Sequence, residues 1–292
     1  MSPTPGSGEL ARRIMRRHAR SFSWAARLLP AQLRADAAIL YAWCRRCDDA
    51  VDRAPDPGTA QAALVCLREE LDLIYGPAAL GDPVLAGMQD LVARRGLPRF
   101  PADELLDGMA MDLGRVRYQS RDELLVYCHR VAGTVGLMMA HLMGVRDPRA
   151  LRRADDLGIA MQLTNICRDV AEDQQRDRVY VPAELLGPGL LPSEAGPRLR
   201  TAIGEMLRWA DDFYRSGDAG LPALPAACAG AIRAARLIYA DIGRVIARRG
   251  YDVLSGRAVV SRARKLWLIA RALFGTLMAR AWPSPAGGRA AL

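Results

Sequence analysis

Asp48 and Asp52, within YAWCRRCDDAVD, stand four residues apart, so on a helix both carboxylates project from one face, with Asp49 beside them and Arg45 one turn earlier. Far along the chain, QLTNICRDVAED repeats the device: Gln162, Asn165, Asp169 and Asp173 follow at spacings of three, four and four and make a single polar stripe. Ile159, Leu163, Ile166 and Val170 take up much of the remaining circumference, which leaves these carboxylates on an otherwise apolar helix. Either stripe alone reads as a solvated face; the two together read differently. Carboxylates one turn apart with no balancing lysine repel each other. A divalent cation removes that repulsion, and hard oxygens are what magnesium takes, usually with water and substrate phosphate completing its shell. If the two helices face each other across a cavity, they bracket a metal-bound diphosphate. An allylic diphosphate ionises when metal and arginines neutralise its leaving group. The carbocation must then meet an alkene and not water, which requires a long apolar cavity closed from solvent.

The elements that must position these groups are all helical. Periodicity of 3.6 recurs over about 8–19, 31–53, 59–75, 82–95, 102–117, 121–144, 148–174, 193–216, 223–250 and 259–281, with Pro and Gly between the segments and no alternating strand pattern. Leu, Ala, Met and Arg dominate, and aromatics are only 6%, which favours helix over strand. The expected fold class is all-α: a single domain over 1–292 of roughly ten helices, with a core from about 8 to 281 and a flexible tail over 283–292. In VYCHRVAGTVGLMMAHLMG, Ala132, Gly133, Gly136 and Ala140 recur on one side of a bulky helix. Such a stripe serves equally to admit an isoprenoid tail or to seat a neighbouring helix. Met138, Met139 and Met143 read as core filling.

Bulk properties narrow the partners. The formal charge is +9 and Lys265 is the only lysine, so nearly all the positive charge is guanidinium, which suits phosphates. The arginines are scattered along helices and no nucleic-acid motif is present, so nucleic acid is not an expected partner. The N-terminal MSPTPGSGELARRIMRR has no apolar core of a secretion signal, and the six cysteines lie mostly in apolar patterns; a cytoplasmic, reducing setting is expected. Cys44 and Cys47 form a lone C-x-x-C that reads as a buried pair. LWLIARALFGTLMARAW, 266–282, is broken by Arg271 and Arg280 and is too charged to span a bilayer; it reads as an amphipathic helix docked on the protein's own core or lying on a membrane surface as a peripheral contact. Nothing in the sequence sets an oligomeric state.

These motifs, in this order, resemble the squalene and phytoene synthases, over about 18–273. HARSFSWAARLLP resembles the family's entry motif, YAWCRRCDDAVD and QLTNICRDVAEDQQRDRVYVP its two aspartate-rich motifs, and YCHRVAGTVG its central tyrosine and glycine segment. The resemblance implies the all-α isoprenoid synthase fold around a central apolar cavity. It implies magnesium, or manganese in its place, on Asp48, Asp52, Asn165, Asp169 and Asp173, with Asp49 a less certain neighbour. Diphosphate contacts would come from His18, Arg20, Arg45, Arg168 and Arg257, with Tyr41 and Tyr239 as hydroxyl donors. Tyr127 and Gln162 would border the cavity, Tyr127 closer to the cation.

YDVLSGRAVVSRARKLWL, RVYVP and VAGTVGLMM look most like the bacterial enzymes that join two C20 geranylgeranyl diphosphates head to head and need no NADPH. The alternatives are a C15-using dehydrosqualene or squalene synthase, a chain-elongating synthase or terpene cyclase of the same fold, and a non-catalytic assembly factor on the same frame.

Overall fold

Three helices begin on the dipeptide Asp-Pro, and each aspartate caps its helix. Asp56 accepts the Thr59 amide at 2.9 Å, Asp82 those of Val84 and Leu85 at 2.8 and 3.0 Å, and Asp147 that of Ala150 at 2.8 Å. Proline at the first helical position lacks only an N–H that would go unbonded, and each cap is worth about 1 kcal/mol. Ser120 caps a fourth helix by accepting the Glu123 amide at 3.3 Å, and the Glu123 carboxylate accepts the Gln119 amide at 2.7 Å.

The computed structural model describes residues 7–18 and 22–281. Its elements are α1 (Ser7–His18), α2 (Phe22–Ala26), α3 (Ala31–Asp52), α4 (Pro57–Tyr75), α5 (Pro83–Arg95), α6 (Phe100–Ala110), β1 (Val116–Arg117), α7 (Arg121–Cys128), a π-helical turn (His129–Gly133), α8 (Thr134–Leu142), α9 (Pro148–Gln174), β2 (Arg178–Val179), α10 (Ala183–Leu186), α11 (Pro197–Gly220), a 3₁₀ turn (Leu221–Ala223), α12 (Ala226–Arg248) and α13 (Arg262–Ala281). The fold is all-α, as the periodicity predicts. The tail over 283–292 lies outside the described residues.

α9 is the central helix, packed against α11, α12, α8 and the π-helical turn. Two glycines let the backbones approach: a β-carbon at Gly158 would lie 2.3 Å from the Ala132 carbonyl, and one at Gly136 would lie 2.3 Å from that of Ala154. One apolar cluster, around Trp43, Leu71 and Leu105, joins α3 to α4, α5 and α6; another, around Leu163, Met206 and Ile238, joins α9 to α11 and α12. A cavity lies between them, bordered by α3, α8, α9 and α12.

Two departures from periodicity matter for the site. The helix expected over 102–117 ends at Ala110, because Gly114 adopts φ 78° and the chain turns out of the helix. The released segment forms β1, which pairs in parallel with β2 (Val116 with Arg178, Arg117 with Val179), where no strand is expected. A two-residue strand is too short to show an alternating pattern. The helix expected over 121–144 is likewise interrupted by the π-helical turn opposite Gly158.

Candidate active site

Asp48 and Asp52 sit on the last two turns of α3; Asn165, Asp169 and Asp173 sit on the second half of α9. The β1–β2 pairing braces the end of α9. It fastens the segment after α6 to the segment after α9, and Arg178 on β2 then donates to Asp52 at 2.8 Å. Arg176 approaches the same carboxylate at 3.7 Å. Asp177 takes φ 55° in the turn between them, a left-handed conformation that aspartate tolerates better than most residues.

Asp112, two residues past α6, is the group that periodicity misses. Its carboxylate accepts hydrogen bonds from Tyr180 at 2.6 Å and Tyr127 at 2.9 Å, and Tyr118, Tyr127 and Tyr180 pack ring to ring behind it with centroids 5.0–6.1 Å apart. The Asp112 charge acts on both Asp48 and Asp173, so one carboxylate lies within electrostatic reach of both acidic helices. A lone aspartate at a helix end carries no spacing signal; the only hint in the sequence is Gly114 as a helix stop.

The crowding of acids is written in their proton affinities. Asp48 is pushed up to about 7 by desolvation at the mouth of the recess, although half of its side chain is accessible, and by the Asp52 charge, with Arg45 pulling the other way. Asp173 is likewise pushed up to about 7, by burial and Asp169, against Arg178 and Arg176. Burial also raises Asp112, although the Tyr180 hydrogen bond and Arg178 oppose it. Arginines hold the remaining acids: Arg168 donates to Asp169 at 2.8 Å, Arg257 reaches Asp169 at 2.9 Å and Glu172 at 3.5 Å, and Arg45 pairs with Asp49 and stands 3.7 Å from Asp48. Among the described residues no three His, Cys, Asp or Glu side chains already converge as a metal cluster. The donor set nonetheless fits a hard cation: Asp48 and Asp173 each feel a like charge one turn away, and the buried Oδ1 of Asn165 has no hydrogen-bond partner.

Below these groups runs the cavity, about 370 Å³, within the range of small-molecule sites. Tyr41, Asp48, Gln162, Asn165 and Tyr239 border one end; Ala150, Arg153, Leu221 and Leu224 border the other, with Val131, Met139 and Met161 among the apolar wall residues. The α9 wall extends from Asn165 back to Ala150, roughly 22 Å at 1.5 Å per residue. Burial pushes the Tyr41 phenol up to about 12, against the pull of Arg45, and burial also raises Tyr239, against Arg168. Both hydroxyls therefore stay protonated as donors.

Two expected cavity residues stand elsewhere. Tyr127 is buried outside the cavity wall with its hydroxyl on Asp112, because α7 packs it into the tyrosine stack. Gly133 faces Asp155, where a β-carbon would lie 1.8 Å from the carboxylate, and does not reach the cavity; Gly136 packs on Ala154 and also borders the cavity, as Ala132 and Ala140 do. The side chain of His18 and the whole of Arg20 lie outside the described residues.

Helices that present aspartates from two distant segments above an apolar cavity define the isoprenoid synthase fold. A crystal structure of a dehydrosqualene synthase with ligand superposes with a TM-score of 0.86 at 26% identity, covering 94% of this chain and 97% of that one. The squalene/phytoene synthase family profile matches residues 15–264, and the chain belongs to that family. It is 42% identical to a phytoene synthase of Cereibacter sphaeroides over 89% of this chain and 78% of the relative, and 38% identical to one of Pseudescherichia vulneris over 95% of each.

Proposed function

We propose that this chain is a magnesium-dependent phytoene synthase, joining two geranylgeranyl diphosphates head to head through prephytoene diphosphate, with loss of two diphosphates and two protons overall. The observation that carries this reading is the shared border of one apolar cavity: Asp48 from α3 and Asn165 from α9 meet at the same end. The phytoene synthases at 42% and 38% identity support the C20 substrate.

Asp48 and Asp52 would hold metal on one side, and Asn165, Asp169 and Asp173 on the other. Magnesium, or manganese in its place, would supply the positive charge that a diphosphate leaving group needs. Arg45, Arg168 and Arg257 now hold acids in the site; with those acids on metal, the guanidinium groups would be free to turn to diphosphate oxygens, where forked donors suit the anion. Tyr41 and Tyr239 donate their hydroxyls at the cavity end and, kept protonated by burial, do not compete as anions. The slot along α9 receives the prenyl tails and keeps water from the cation. Tyr127 and Tyr180 orient Asp112 beneath both acidic helices.

The test is a substrate panel: purified protein with farnesyl or geranylgeranyl diphosphate, magnesium, and NADPH present or omitted, the hydrocarbon identified by mass. A C40 product that forms without NADPH is expected. A C30 hydrocarbon as the preferred product replaces the C20 assignment, and a retained diphosphate or a ring replaces head-to-head joining.

A further inference from the structure

α13 (Arg262–Ala281) gives only one face to the core. It fastens to α12 through Leu268 and Ala272, both fully buried, and through Arg264, which donates to the buried Asp241 at 2.8 and 3.1 Å. Its outer face carries Leu266, Trp267, Leu273, Phe274, Leu277 and Met278, all exposed, with Phe274 and Leu277 at 65% and 61%. At 3.6 residues per turn these six side chains share one continuous arc of roughly 140°. That is as wide as the apolar face a helix normally turns toward a core. Just before the helix, Val259 is also 66% exposed.

Charge says what covers this face. By helical position Arg262 flanks one edge of the arc and Arg271 the other, and the Arg264 and Arg271 guanidiniums stand 4.5 and 5.7 Å from the Trp267 ring. The helix carries no Asp or Glu, and the chain as a whole is at +9. A two-fold contact with a second copy would bring arginine edges together with no acid on the helix to offset them. Lipid phosphates supply that offset, and an apolar face with arginine margins is the pattern of a helix lying in a bilayer interface.

We propose that α13 docks this protein on an anionic lipid surface, with Trp267, Phe274 and Leu277 entering the headgroup–acyl boundary and Arg262 and Arg271 on lipid phosphates. Docking stands on the chemistry of α13 alone and is independent of the reaction proposed above. It would place α12, whose inner face lines the cavity at Ile232, Ala235 and Tyr239, one helix away from the lipid.

The test is flotation of the full-length protein, without substrate, with vesicles of phosphatidylcholine alone or mixed with phosphatidylglycerol. Binding to the mixed vesicles is expected, weakening as salt rises. The triple variant W267S/F274S/L277S should bind at least about tenfold more weakly, since each lost side chain removes interfacial apolar area. R262Q/R271Q should lose roughly fivefold per arginine on the mixed vesicles only. Because all five positions are on the outer face, unchanged circular dichroism verifies folding. Absence of vesicle binding overturns the proposal, as does binding that the triple variant retains in full. A dimer in light scattering that the triple variant disperses, with no vesicle binding, assigns the face to a second copy and overturns it as well.

Discussion

Arg178 donates a 2.8 Å hydrogen bond to Asp52, a carboxylate 126 positions earlier in the chain. The contact joins the strand that follows one acidic helix to the last turn of the other, and Asp112, held by two tyrosine hydroxyls, lies within electrostatic reach of both partners. The site is thus a strapped pair of helix ends rather than two independent stripes.

Arg178→Ala should loosen that strap. A charge-assisted hydrogen bond is worth about 1.5–3 kcal/mol, so the magnesium concentration for half-maximal turnover should rise about tenfold to a hundredfold, with helical circular dichroism unchanged. Turnover titrated against magnesium reads this directly; an unaltered magnesium curve means the contact is incidental.

Asp48→Ala and Asp169→Ala should each lower turnover by at least about a hundredfold, the scale of losing one electrostatic contact to a developing charge. Neither side chain belongs to the apolar clusters, so far-ultraviolet circular dichroism should stay as in the parent. Chelation with EDTA should stop the parent enzyme, and added magnesium or manganese should restore it. Near-normal turnover in both variants would remove the metal role.

The raised acids predict a pH signature. Asp48 and Asp173, at about 7, bind protons more tightly in the folded chain than in the unfolded one. Their protonated forms therefore favour folding, and their contribution falls as pH climbs from the ordinary carboxylate range to about 7, then stays level. Magnesium with diphosphate should offset the loss, so the gain in Tm on adding them should be larger at pH 8 than at pH 6. Thermal melts at the two pH values check the sign, and an equal or reversed gain contradicts it.

The far end of the cavity should read tail length. Ala150 borders it beside Leu221 and Leu224. Ala150→Phe should lower kcat/KM for geranylgeranyl diphosphate about tenfold more than for farnesyl diphosphate, the factor that about 1.4 kcal/mol of lost fit produces. Competition between the two substrates, read by product mass, measures the ratio. Equal losses on both substrates would mean that the tails do not reach Ala150.

Asp36, fully buried, receives Arg94 at 3.1 Å and Arg95 at 2.9 Å, binding α3 to α5. Asp36→Ala leaves both guanidiniums without their buried acceptor. Because each is partly in water, the expected loss is about 2–4 kcal/mol, below the full value for a buried pair. Urea unfolding of the magnesium-free protein measures it.

Periodicity and caps alone carry the helical class, the stretches that become α3 and α9, and the placing of Asp48 with Asp52 and of Asn165 with Asp169 on single faces. Those features depend on neighbours within a turn or two, where 3.6 residues per turn leaves little freedom. The meeting of the two stripes depends instead on contacts such as that of Arg178 with Asp52, between distant segments, which have no local signature. Asp112 is silent in the sequence for the same reason: its role comes from Tyr127 and Tyr180 folding over it. Gly133 and Gly136, three apart in one small-residue stripe, both seat α9, at Asp155 and Ala154, and only the path of α9 decides that Gly136 alone also borders the cavity. α13 shows the same limit from outside. Its amphipathic pattern is legible residue by residue, but whether the apolar side meets core or solvent is settled only by how much of it α12 has room to cover.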